Sequence, residues 1–189
     1  MTRAVDFIID GLGAEGLQFQ AWPNDWARQG GGDYNSALNA IAYGVRKFHR
    51  YSSNIYSPIS QALKSFSRLA DSRSPKLSIS WDHTAERLKR AYNSLLWNEA
   101  AGLYRDNRTT SLHPQDGNAL AVYFNLTTSP EQQKRVSKGL TRNWNDIGPV
   151  TPELPDTISP FVSSWEVRTL PVTIHPQLIR FSGGGTFHR

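Results

Sequence analysis

Residues 112–128, LHPQDGNALAVYFNLTT, open with a proline among short polar residues and then turn apolar at helical spacing, at Leu120, Ala121 and Phe124. Pro114 has no N–H and a fixed φ, which suits the first turn of a helix, and Asp116 favours the positive end of its dipole. The spacing predicts that this helix stops near Asn125 and that Ser129-Pro130-Glu131-Gln132 opens the next one. Ser129 stands at the cap, Pro130 at the first helical position, and Gln132 within reach of the cap's N–H. Two helices joined by so few residues lie roughly antiparallel and bury their facing stripes. The repeating unit of this chain is therefore a helical hairpin.

Working outward, Leu88, Ala91, Tyr92, Leu95 and Leu96 form a second helical stripe from Thr84 onward, ended by turn residues over Asn98–Gly102. On the N-terminal side, Leu38, Ile41, Ala42, Val45 and Phe48 form a third, capped by Asp33 or Asn35. A turn-rich loop follows Trp144, and Ser159-Pro160 predicts a last short helix.

The chain has 189 residues, the size of one domain, with 38% hydrophobic residues and no long apolar run. Neither a membrane span nor a membrane partner is expected. There are no cysteines, so disulfides and cysteine metal sites are excluded. MTRAVDFIIDGL lacks the charge-then-apolar pattern of a signal peptide. The net charge is +5, with +5 concentrated in residues 46–83 and +3 in residues 167–189, against −3 elsewhere. Neither basic segment interleaves aromatics at a regular spacing, so no nucleic-acid partner is expected.

Pro23–Gly32, PNDWARQGGG, sets glycines beside Asp25, Trp26 and Arg28. An indole face stacks on a pyranose while a carboxylate and a guanidinium bond its hydroxyls. The plainer reading is a surface pair, Asp25 with Arg28, beside a core Trp26. The glycines do not fit a phosphate loop, and His113 has no second histidine at ligand spacing, so neither a cofactor nor a metal is expected. Asp116 reads most simply as a helix-start carboxylate. Asn107-Arg108-Thr109 and Asn125-Leu126-Thr127 both fit the N-glycosylation pattern.

HPQDGNALAVYFNLT, followed by LTRNWNDIGPVTPELPDTISPFVSSWE, resembles the later part of the catalytic domain of fungal α-L-rhamnosidase-type glycoside hydrolases. DWARQGGGDYNSALNAIAYGV and RLKRAYNSLLWNEAAGLYRDN resemble the same six-hairpin glycosidase domain, in the same order. Together they cover roughly two thirds of the chain. The resemblance implies an all-α fold, an incomplete (α/α)6 toroid of antiparallel helical hairpins over residues 1–166. It sets apart residues 46–83, where Ile59, Leu63, Phe66, Leu69 and Ala70 are still spaced as one amphipathic helix, and a divergent, disordered tail over 167–189. One hypothesis for 46–83 is a shifted frame or an unspliced stretch; an in-frame transcript encoding the segment would sink it.

In this family the loop matching Asp25, Trp26 and Arg28 faces the open end of the barrel, and His113 and Asp116 help to line the sugar pocket. The partner implied is a rhamnose-containing glycoside or polysaccharide, and the full-length parent would be extracellular. Inverting glycosidases need two carboxyl groups roughly 6.5–9.5 Å apart. The family's general acid lies upstream of the part represented here. Ser164-Trp165-Glu166 looks like the stretch of the general base, but its neighbours place it one hairpin earlier. Glu166 is thus a pocket residue and not the base, and the catalytic residues are unassigned. Glu153 and Glu166 are nevertheless the carboxylates to examine. The expectation is a glycosidase domain fragment, inactive alone. The alternatives are a non-catalytic carbohydrate-binding or interaction protein derived from such a domain, and a gene fragment without a stable fold.

Overall fold

The computed structural model describes residues 10–17, 24–25, 28–29, 39–40 and 75–170. These are mostly helical: α1 (Pro75–Leu96), α2 (Gln115–Tyr123), α3 (Pro130–Leu140) and α4 (Pro160–Thr169). A single 3-10 turn, Thr141–Asn143, follows α3. Two antiparallel pairs of two-residue strands complete the described elements. β1 (Asn24–Asp25) pairs with β2 (Arg28–Gln29), setting Asp25 opposite Arg28, and β3 (Trp97–Asn98) pairs with β4 (Leu103–Tyr104). The hairpin of β3 and β4 carries out the chain reversal expected at the end of α1.

α1 is longer than its apolar stripe. Ala85, Leu88, Ala91, Tyr92 and Leu96 are buried, at the expected helical spacing. Yet the helix begins at Pro75, inside the segment that departs from the family resemblance. Between Pro75 and Thr84 there is neither glycine nor proline. A helix nucleated on the buried stripe therefore propagates toward its N-terminus until proline, which suits a first turn, ends it. Ile79 in this extension is 61% exposed. The stripes expected around Leu38–Phe48 and Ile59–Ala70 lie outside the described residues, apart from Asn39 and Ala40, which are helical and buried.

α2 ends where the sequence says it should. Phe124 is its C-cap, and Asn125 follows at φ 59°, in the left-handed region that asparagine tolerates better than most residues. The Asn125 N–H donates to the Val122 carbonyl and the Leu126 N–H to the Ala121 carbonyl, the two bonds of a Schellman cap. Leu126 then tucks into the core. The start of α3 also matches: Ser129 Oγ accepts from the Gln132 N–H at 3.1 Å, with Pro130 at the first helical position. Gln132 reaches back one residue further than expected. Its Oε1 accepts from the Thr128 N–H at 2.6 Å and from the Thr128 hydroxyl, not from Ser129. Ser159 caps α4 in the same manner through the Val162 N–H.

α2 sits at the centre of the described body, packed on α3 and most extensively on α4. Tyr123 meets Trp165 edge-on at 4.7 Å between ring centroids, and the Ser137 hydroxyl donates to the Thr169 carbonyl to tie α3 to the end of α4. A part-buried polar network centred on Asn93 of α1 lies beside the apolar contacts. Tyr104 Oη and Gln132 Nε2 both donate to Asn93 Oδ1, and Asn93 Nδ2 donates to the Lys89 and Leu126 carbonyls. Both polar atoms of the half-buried Asn93 amide thus have partners, which ties α1 to Tyr104, Leu126 and Gln132.

Candidate functional site

The N-terminus of α2 has no local side-chain cap, because Pro114 occupies that position. Its first N–H groups are met from far along the chain. Glu153 Oε2 accepts from the Gln115 N–H at 2.9 Å and Oε1 from the Asp116 N–H at 3.1 Å. A carboxylate on the positive end of a helix satisfies orphan donors and the dipole together. Asp116 itself turns inward locally and accepts from the Gly117 N–H at 2.6 Å.

Glu166, from α4, closes the cluster on its other side. Its Oε2 accepts from Gln115 Nε2 and its Oε1 from Trp144 Nε1, both at 2.6 Å. The residue is 1% exposed. Burial pushes the Glu166 carboxyl above its ordinary range, and the two donors oppose that shift only in part. Glu153 is raised chiefly by burial and further by the neighbouring Asp116, against the two helix N–H groups. Gln115 spends its nitrogen on Glu166, and its buried Oε1 has no hydrogen-bond partner among the described residues.

Asn118 locks the helix start to the β3–β4 hairpin. Its Oδ1 accepts from the Tyr104 N–H at 2.8 Å, while its Nδ2 donates to the Tyr104 and Pro114 carbonyls. His113 stands apart from the carboxylates. Asn98 Oδ1 accepts from the Ala101 N–H, which orients the amide so that Nδ2 faces His113 Nε2 at 3.0 Å. Nε2 must then accept, leaving the ring proton on Nδ1. Burial, with the nearby Arg105 charge, holds the His113 pKa below its ordinary value, so the ring is neutral at pH 7.

Of the residues singled out in the sequence, the structure gathers Asp116, Glu153 and Glu166 around Gln115. His113 is placed on the hairpin side, bonded to Asn98. Asp25 and Arg28 are described by their backbone alone, and Trp26 lies outside the described residues. Trp144 was not anticipated; its bond to Glu166 spans 22 positions, and nothing local in the sequence marks it. Among the described residues no group of His, Asp and Glu is arranged to hold a metal, and no helix is long and apolar enough to cross a membrane.

Glu153 and Glu166 are therefore both engaged in holding structure. Glu153 fixes a helix end, and Glu166 joins an amide and an indole. The chain matches no known family model and no curated protein.

Proposed function

We propose that the chain carries part of the catalytic domain of an α-L-rhamnosidase-type glycoside hydrolase, contributing helical hairpins and a portion of the sugar-binding wall but no turnover of its own. The observation that carries the second half of this reading is the engagement of both oxygens of Glu153 and Glu166. A general acid or base needs an oxygen facing the scissile bond or the attacking water. Each oxygen of the two carboxylates already accepts a bond inside the fold, and both side chains are buried, at 8% and 1% exposure. The first half rests on the ordered resemblance of four sequence stretches and on the hairpin that α2 and α3 make. Large apolar side chains at the surface, Ile147 at 81% and Phe161 at 72% exposure, fit a body whose remaining hairpins would cover them.

The inverting two-carboxylate reaction on terminal α-L-rhamnosides would then belong to the toroid as a whole. On the family resemblance, Asp25, Trp26, Arg28, His113 and Asp116 would line the glycone pocket, with Glu166 held behind them by Gln115 and Trp144. Rhamnose titrated into the purified chain by calorimetry, beside a chromogenic α-L-rhamnoside assay, tests the reading. Binding without hydrolysis supports a sugar-binding wall lacking its catalytic pair, and no binding at all removes the sugar-wall assignment.

A further inference from the structure

The two N-glycosylation triplets are held in opposite ways. Asn107 lies in the loop between β4 and α2, and its side-chain oxygen gathers three donors of the turn. Oδ1 accepts from the Thr109 N–H, the Thr109 hydroxyl and the Thr110 N–H, each at 3.0 Å. All of these bonds fall on the oxygen, and Nδ2, the atom that glycosylation modifies, takes no part in them. Asn107 is half-buried, and Arg108 and Thr109 beside it are exposed.

Asn125 is the reverse case. It is exposed, but it occupies the left-handed position of the Schellman cap. Leu126 is fully buried and bonded to the Ala121 carbonyl, and Thr127 is 4% exposed. The hydroxyl that completes this second triplet is inside the protein. Reaching it requires undoing the end of α2.

We propose that Asn107 is the N-glycan acceptor of this chain in a secretory lumen, and that folding closes the Asn125 triplet. The donor class is an oligosaccharide linked through a diphosphate to a polyprenyl lipid. A C–N bond forms between Asn107 Nδ2 and the anomeric carbon. The anomeric C–O bond breaks, its electron pair leaves with the lipid diphosphate, and one Nδ2 proton passes to the transferase. Three donors on Oδ1 draw electron density toward the oxygen and so acidify the Nδ2 protons, the direction this transfer needs. The glycan leaves every bond of the turn intact, because none of them uses Nδ2. The lumenal setting rests on the glycosidase reading, whereas the choice between the two triplets does not.

The test is to route the full chain through the secretory pathway of yeast behind a cleavable leader and to map the lumenal product by peptide mass spectrometry. Enzymatic deglycosylation in heavy-oxygen water converts each occupied asparagine to a labelled aspartate. The expected result is label at Asn107 and none at Asn125. Asn107→Gln and Thr109→Ala each abolish the single mobility shift, whereas Thr109→Ser and Asn125→Gln retain it. Occupancy is read on the unsubstituted chain, so the result does not depend on how any variant folds. An unlabelled Asn107 overturns the proposal, and label at Asn125 overturns the claim that the helix end closes that triplet.

Discussion

Glu153 caps a helix that begins 38 residues before it, its two carboxylate oxygens taking the N–H groups of Gln115 and Asp116. This bond pair ties the turn-rich loop after Trp144 to the first turn of α2. Glu153→Ala leaves two buried donors and the helix dipole unanswered. The expected cost is about 2–3 kcal/mol, the range for losing a charged acceptor at a buried site. Urea unfolding checks it: the midpoint falls with an unchanged slope. Glu153→Gln, which keeps one acceptor oxygen, loses less.

Both Glu153 and Glu166 have folded-state pKa values raised above 4.5. The folded chain therefore binds protons more readily than the unfolded chain. That contribution to stability is fully present below about pH 4.5 and is lost as pH rises through the raised values. Melting temperatures of the wild type and of Glu153→Gln/Glu166→Gln, measured from pH 4.5 to 7.5, expose it. The wild type loses stability relative to the double variant as pH rises, and parallel curves would show that the two carboxyls do not titrate differently on folding.

Asn118 is fully buried and uses both ends of its amide to join β4 to α2. Asn118→Leu is close in volume but strands the Tyr104 N–H and carbonyl away from water, while the Pro114 carbonyl keeps the backbone N–H of residue 118. The expected loss is about 2–4 kcal/mol, read as a lower midpoint of thermal unfolding. Hydrogen exchange at the Tyr104 amide should quicken in step.

A Cβ placed on Gly139 would come within 2.7 Å of Leu103 Cδ2 and 2.8 Å of its Cγ. Leu103 is itself buried, so it has little room to give way. Alanine is the better helix former by about 1 kcal/mol, but overpacking costs about 1–3 kcal/mol. Gly139→Ala should therefore be destabilising on balance. Adding Leu103→Val should recover part of the loss in a double-mutant cycle.

The helix boundaries were legible because their signals are local. Ser129-Pro130 and Ser159-Pro160 supply a cap and a first-turn proline within two residues, and Asn125 supplies the left-handed stop. The buried stripe of α1 was legible for the same reason. The extension of α1 back to Pro75 was not, because it runs into the serine-rich basic segment, where neither glycine nor proline stops it before Pro75. β3 and β4, at two residues each, are too short to show alternation. At the candidate site, Asp116, Glu153 and Glu166 stood out as carboxylates, but their roles were hidden. Those roles depend on Gln115 and Trp144, partners that sequence distance conceals.

The most direct test of the account is a chromogenic α-L-rhamnoside assay on the purified chain, run with Glu166→Gln and Glu153→Gln alongside. The account predicts no hydrolysis above the uncatalysed rate for any of the three. Turnover by the wild type that either substitution abolishes would mean that a carboxylate assigned here to structure is performing the chemistry.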